Sequence, residues 1–349
     1  MSFDIAGRRV GSGEPCFIIA EAGVNHDNDL AQAHDLVDAA MHSGADAIKW
    51  QSYKAHKLAA IDSPLYWGGS ETSQREAFAK SDKLSPEDFA EVLDYSEAMG
   101  LPAFSTPFDL GAVDFLEGLN VPLYKIASGD ITYHDLLRKV ASTGKPILLS
   151  TGGSTLDEVE AAEQVIVKAS GTGIGVPPLV LLACTLCYPT ADEDANLRQI
   201  EALLELGYPV GLSDHTQSMV IPAVAVALGA CVVEKHFTVS REIIGSPDHQ
   251  MSMDPPMMTA LVQNIRKTEA ALGHAVKTVL PCEEPARQNA RRSVAAAVDI
   301  LEGGVVHASD LTCLRPAGGI APEDMDALVG HRATRCIQAG SIIRMDDLA

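Results

Sequence analysis

The chain has 349 residues, 46% of them hydrophobic, and a formal net charge of −21 at pH 7. An apolar fraction of this size in a chain this long supports a large buried core and excludes intrinsic disorder. The surplus of carboxylates excludes a binder of nucleic-acid backbones or anionic membranes, so any anionic ligand must meet a local positive site.

The first ten residues, "MSFDIAGRRV", carry no apolar stretch behind their basic pair, and no secretory signal is expected. The longest apolar run, Met219 to Val233, is interrupted by Pro222 and Gly229 and falls short of the roughly 20 residues of a membrane helix. Seven cysteines, an odd number scattered along the chain and read as lacking C-x-x-C spacing, fit the reduced thiols of a cytoplasmic protein better than a disulfide framework.

Short apolar runs then alternate with longer amphipathic stretches. Cys16 to Ala20 and Ala47 to Trp50 predict the first two strands, with a helix over Leu30 to Ser43 between them. A helix over Pro86 to Met99, opened by the Ser85-Pro86-Glu87-Asp88 start signal, precedes the third strand at Pro102 to Phe104. Strands four to eight fall at Leu123 to Ala127, Ile147 to Leu149, Leu179 to Ala183, Val210 to Leu212 and Cys231 to Val233. The remaining helices begin near Leu110, Tyr133, Leu156, Leu197, Met219 and Pro255. Eight βα units in about 250 residues predict an α/β fold, a (β/α)8 TIM barrel, over a doubly wound sheet. The barrel is assigned to residues 1–280. From Pro281 the composition turns polar and basic in "PCEEPARQNARRS", a linker over 281–291, and a small domain follows over 292–349.

Chemistry in such a barrel gathers where the strands end. Every predicted strand delivers polar groups there: Glu21; Lys49 and Gln51; Ser105-Thr106; Lys125 and Ser128; Ser150-Thr151; Cys184-Thr185; Ser213-Asp214-His215; and Glu234-Lys235-His236. The last triplet predicts a buried strand emerging into a cavity with three ionisable groups. His215 and His236 end neighbouring strands, which lie about 4.8 Å apart, so both imidazoles reach one ion. Two protein ligands leave positions open for substrate and water, and nitrogen or oxygen donors without thiolate favour Mn²⁺, with Mg²⁺ or Co²⁺ as alternatives and Zn²⁺ also compatible. Lys49, Lys125 and the Gly-Gly turn of "STGGST" (Ser150 to Thr155) predict an anion site. Glu21, Asp130 and Asp248 supply carboxylates for proton transfer or for holding hydroxyls. Asp248 stands beside His249, and the residues alone leave open which of the two faces the cavity.

In order, "FIIAEAGVNH", "AIKWQ", "STPFD", "YKIASGD", "LSTGG", "CT..YPT", "GLSDHT", "EKHFT" and "PDH..S" make the chain resemble the sialic acid synthase family. "RRS" and "RP..GI.P" extend the likeness into a C-terminal antifreeze-like (SAF) domain, so that it spans about Phe17 to Ile343. The resemblance implies condensation of phosphoenolpyruvate with an N-acetylated amino sugar. N-acetylmannosamine, giving N-acetylneuraminate, is the first expectation; the 2,4-diacetamido sugar, giving N,N'-diacetyllegionaminate, is the alternative. It further implies that His215 and His236 bind the metal and that Lys49, Lys125, Ser128 and Ser150 hold phosphoenolpyruvate, with Gln51 and Tyr188 nearby. Glu21 and Asp248 would orient the sugar, and Asp130 would be the acid/base carboxylate. Arg315 would reach the sugar's N-acetyl group from a partner subunit in a domain-exchanged homodimer.

Two positions depart from the family pattern: Asp130 is one methylene shorter than the glutamate of some members, and Leu186 stands where Ser or Asn is frequent. Ser52 to Ser85, containing Tyr66, Trp67 and "GGSETSQ", is expected to be a lid or a surface loop. The rival classes are a Schiff-base aldolase using Lys125 or Lys235 and a non-enzymatic sugar or ice binder built on the C-terminal domain.

Overall fold

A computed structural model describes residues 2–67, 71–171 and 178–349, so the "GGS" at 68–70 lies outside the described residues. The chain divides into two compact units, residues up to Gly273 and from His274 onward.

In the first unit, β1 (Ser2–Ile5) and β2 (Arg8–Gly11) form an antiparallel hairpin. Eight strands follow: β3 (Phe17–Gly23), β4 (Ala47–Ser52), β5 (Ala103–Pro107), β6 (Tyr124–Ile126), β7 (Ile147–Ser150), β8 (Leu179–Cys184), β9 (Val210–Asp214) and β10 (Val232–His236). They run parallel and close into a barrel in the order β10-β3-β4-β5-β6-β7-β8-β9. The TIM barrel read from the alternation is the observed fold. These strands are buried along nearly their whole length, which is why they read as continuous apolar runs. Gly211 fills a point inside the barrel where a Cβ would lie 2.6 Å from Leu182 and 2.7 Å from Val232.

The helices start where capping chemistry places them. Asp29, Ser85, Asp109, Thr155 and Asp254 each accept backbone N–H bonds at the first turn of their helices. The starts expected near Tyr133, Leu197 and Met219 fall at His134, Gln199 and Ile221. Two short helices, Ala55–Leu58 and Gln74–Phe78, were not read from the sequence.

Nor was the first hairpin. Its turn puts Ala6 and Gly7 at φ 50° and 82°, and Asp4 accepts the Gly7 N–H at 2.8 Å. Ile5 and Val10 join the barrel core. Arg8 and Arg266 (2.9 Å) both pair with Asp46, which also accepts the Ile18 N–H at 2.8 Å, tying the hairpin to the N-terminal ends of the strands. That end is closed by packing and ion pairs, and the opposite end is left for chemistry.

The second unit has its own small core of Val294, Ile300, Val306, Ile337 and Ile343 with neighbouring apolar side chains. Its β11 (Ser293–Ala296) and β12 (Leu311–Leu314) pair antiparallel, and a helix over Glu284–Ala290 occupies most of the predicted linker. Among the described residues no helix is long and apolar enough to cross a membrane.

Candidate active site

A cavity of about 1530 Å³ opens at the C-terminal ends of the barrel strands, and every predicted site residue except Arg315 lines it. Strand alternation decides who enters. On β10, Glu234 and His236 point into the cavity, whereas Lys235 points to the opposite face, so the expectation that all three charges of "EKH" enter is corrected. Lys235 Nζ pairs with Asp214 at 2.6 Å and also donates to the Thr216 carbonyl. A Schiff-base role for Lys235 is thereby excluded.

The cavity floor is a cluster of alternating charge. Register sets Glu21 beside Lys49 on β3 and β4, and His236 beside Glu21 on β10 and β3. Lys49 pairs with Glu21, lies 3.9 Å from Glu234 and donates to Thr106 Oγ1 at 3.1 Å. Lys125 lies 3.4 Å from the same Glu234, which accepts the Ser213 hydroxyl at 2.8 Å. Gln51 donates to Glu21 at 2.9 Å. All four charged groups are buried, and buried charge persists only when paired. The lysines from which an anion site is expected are paired here with carboxylates in a nearly balanced cluster. Burial raises the Glu21 pKa despite Lys49. Burial also opposes ionisation of Glu234, but Lys125, Lys49 and Ser213 outweigh it and draw its carboxyl down to about 2. Glu234, the hub of this cluster, was read as a rim residue and given no role; its place two residues before an inward-facing histidine was the available signal.

The two imidazoles sit side by side, ring centroids 5.6 Å apart, and the Tyr188 ring packs against His215 at 4.1 Å, tilted by 36°. His215 Nδ1–H donates to the Thr185 carbonyl at 2.8 Å, which leaves Nε2 unprotonated and available. Burial, with the neighbouring His236, lowers the His215 pKa to about 3, so the ring is neutral at physiological pH. His236 Nδ1 is buried without a hydrogen bond, 3.9 Å from Asp248. The His215 Nε2 and the His236 Nδ1, neither hydrogen-bonded by the protein, suit a divalent cation that takes its remaining ligands from substrate and water. Among the described residues no group of three or more His, Cys, Asp or Glu is arranged to hold a metal ion.

Asp130 Oδ2 and Ser150 Oγ are likewise buried without partners at the cavity wall. Burial pushes the Asp130 pKa up to about 6, with Lys125 pulling against it. The Gly-Gly turn is less open than expected, because the Gly152 N–H is committed to Ser128 Oγ at 3.0 Å. Ser128 also donates to Cys184 at 3.6 Å. Cys184 and Cys187 stand at C-x-x-C spacing in "CTLC", which corrects the expectation that no such spacing occurs; both are free, one buried and one exposed.

Asp248 is the member of its pair that faces the cavity, and His249 is fully buried behind it. Leu186 lines the wall, its side chain exposed. Tyr53, Tyr66, Trp67, Gln74, Phe78 and Lys80 bring the Ser52 to Ser85 insertion into the same wall. Arg315 is exposed on the second unit.

The NeuB family model matches residues 36–277 and the SAF domain model residues 291–349. The chain is 41% identical over 338 residues to the N,N'-diacetyllegionaminic acid synthase of Legionella pneumophila, covering 95% of this chain and 94% of that one. It is 34% identical over 353 residues to human N-acetylneuraminate-9-phosphate synthase, covering 98% and 95%. The crystal structure of N-acetylneuraminic acid (sialic acid) synthetase from Leptospira borgpetersenii superposes with a TM-score of 0.74 at 31% identity, over 82% of this chain and 95% of that one.

Proposed function

This chain belongs to the NeuB family, and from that premise we propose that it condenses phosphoenolpyruvate with an N-acetylated amino hexose and water, giving a nine-carbon 2-keto acid and phosphate. One observation supports this most: two imidazoles, each with a ring nitrogen free of protein hydrogen bonds, face a paired Lys49–Glu21 and Lys125–Glu234 cluster inside a single cavity.

Lys49 and Lys125 would exchange their carboxylate partners for the phosphate and carboxylate of phosphoenolpyruvate, assisted by Ser128 and the unpartnered Ser150 hydroxyl. His215 and His236 would hold a divalent metal, Mn²⁺ in the first instance, whose Lewis acidity supplies stabilisation of charge on the sugar's aldehyde oxygen. C3 of phosphoenolpyruvate forms a bond to the aldehyde carbon, water adds at C2, and phosphate leaves by C–O cleavage. Asp130, partly buried and poised near pH 6, takes the proton released by the water that adds at C2. Glu21, Gln51 and Asp248 orient the sugar's hydroxyls. Arg315 serves the N-acetyl group of sugar bound by a second copy in a domain-exchanged dimer.

Sequence alone ranked N-acetylmannosamine first. The identities now favour the 2,4-diacetamido sugar, because two relatives named N,N'-diacetyllegionaminic acid synthase match at 41% and 36% against 34% for the human N-acetylneuraminate-9-phosphate synthase. The apolar Leu186 wall suits the added acetamido methyl. The test is phosphate release from phosphoenolpyruvate across a panel of 2-acetamido and 2,4-diacetamido hexoses. The reading predicts sugar-dependent release, fastest with a 2,4-diacetamido member. Release without sugar, or none with any member, contradicts it.

A further inference from the structure

Asp248 stands on a short turn, Pro247–Gln250, in a stretch with no strand or α-helix between β10 and the helix that starts at Pro255. Such a segment fixes a carboxylate only if its backbone is tied down from outside. The ties are visible. The His249 ring is fully buried, its Nε2–H donating to Asp27 Oδ2 at 2.8 Å and its Nδ1 lying 2.7 Å from Thr238 Oγ1. The other Asp27 oxygen accepts the Ser246 N–H at 2.7 Å, and Gln32 donates to Oδ2 at 3.0 Å. Ser252 Oγ donates to the Asp248 carbonyl at 2.6 Å and accepts from Asn25 at 3.1 Å.

Two further features point to the same anchor. Gly245 passes so close over Asp27 that a Cβ there would lie 2.3 Å from its carboxylate, a contact no side chain tolerates. Asp27 and Asn28 both adopt left-handed backbone, φ 48° and 61°, a conformation that Asp and Asn accept more readily than other side chains and that makes a tight turn after β3. Asn28 uses that geometry to bind the insertion wall, donating to the Lys80 carbonyl at 2.8 Å and accepting the Lys83 N–H at 2.9 Å. The turn after β3 therefore fastens two separate walls of the cavity.

The Thr238–His249–Asp27 chain has the outline of a nucleophile relay. Thr238 is fully buried and does not line the cavity, so nothing can react with it. Its chemistry is that of a strap.

We propose that Asp27 and His249 are positioning residues for sugar recognition: they clamp the Ser246–Met251 turn so that Asp248 is presented to the cavity beside His236. This rests on the assignment of Asp248 to the sugar made above. His249 stands outside the cavity lining, and Asp27, at the cavity wall, has both oxygens engaged by Ser246, Gln32 and His249, so both are assigned to act through Asp248.

The test uses the full chain, with phosphoenolpyruvate and a 2,4-diacetamido hexose as probes, and follows His249→Phe, His249→Gln and the less buried Asp27→Asn. His249→Phe and Asp27→Asn are expected to raise the sugar KM at least tenfold while the phosphoenolpyruvate KM stays within twofold. His249→Gln, which retains a donor toward Asp27, recovers most of the loss. Hydrogen exchange at residues 246–252 is expected to quicken at least tenfold in Asp27→Asn and, if it folds, in His249→Phe. A folded variant whose two KM values rise together, or whose exchange matches wild type, overturns the proposal. Asp248→Asn separates the two claims: an unchanged sugar KM there removes Asp248 from the sugar site, while the exchange data still judge the clamp.

Discussion

Strands β9 and β10 present two faces at the same height, and the faces differ in how their polar groups are satisfied. On the outer face Lys235 and Asp214 are in register, paired at 2.6 Å, with Thr216 completing the shell around both. On the inner face His236 Nδ1 has no partner, Glu234 Oε2 approaches Lys49 only to 3.9 Å, and Asp130 and Ser150 across the cavity each keep an orphaned oxygen. A buried polar atom left unpaired costs about 1–3 kcal/mol, so a fold retains several in one place only where a ligand completes them. Fully partnered polar groups mark the scaffold, and orphaned polar atoms gather at the reaction centre.

The comparison breaks first at the imidazoles. The His215→Ala/His236→Ala double variant is expected to lose at least about 10³-fold in kcat/KM, the scale of removing preorganised electrostatic stabilisation, measured as phosphate release by folded protein. The two faces then separate under paired substitutions. Lys235→Met should lower stability by about 3–5 kcal/mol, because it strands a buried carboxylate, yet leave the phosphoenolpyruvate KM of the folded protein within about threefold. Glu234→Gln should instead lower kcat/KM by about 100-fold, because Lys49 and Lys125 lose the group that holds them in place; urea unfolding alongside steady-state kinetics distinguishes the two outcomes.

Asp130 sharpens the contrast through pH. Its folded pKa stands near 6 against an ordinary 3.8, chiefly from burial, so the folded state holds this proton more tightly than the unfolded one. The resulting stabilisation is complete below about pH 4 and is lost as pH rises through about 6. Compared with Asp130→Asn, wild type should lose at most about 3 kcal/mol over that window, seen as a gap in thermal midpoint that widens between pH 4 and 7. The smallest effect is expected at Arg315→Ala, about a tenfold rise in sugar KM, worth about 1.4 kcal/mol, with the phosphoenolpyruvate KM unmoved. Equal rises in both would remove Arg315 from the sugar site.

Much of the scaffold was legible because parallel barrel strands, buried on both faces, leave unbroken apolar runs such as "CVV" before β10's polar end. The hairpin at Ser2–Gly11 was not, since its Ala6-Gly7 turn carries no strong signal and only Ile5 and Val10 enter the core. At the rim, residue types could be read but direction could not: period 2 sends Lys235 outward between Glu234 and His236, and the triplet looks the same either way. The pairing of both lysines with Glu234 depends on register between strands far apart in sequence, which no local pattern reports. The same holds for His249, whose partner Asp27 lies 222 residues away.

Titration of metal-free protein with Mn²⁺, followed by calorimetry, tests the central claim most directly. The account predicts one ion bound per chain by wild type and none by the His215→Ala/His236→Ala variant, with Lys235→Met binding as wild type does. An unchanged stoichiometry and affinity in the double variant would contradict it.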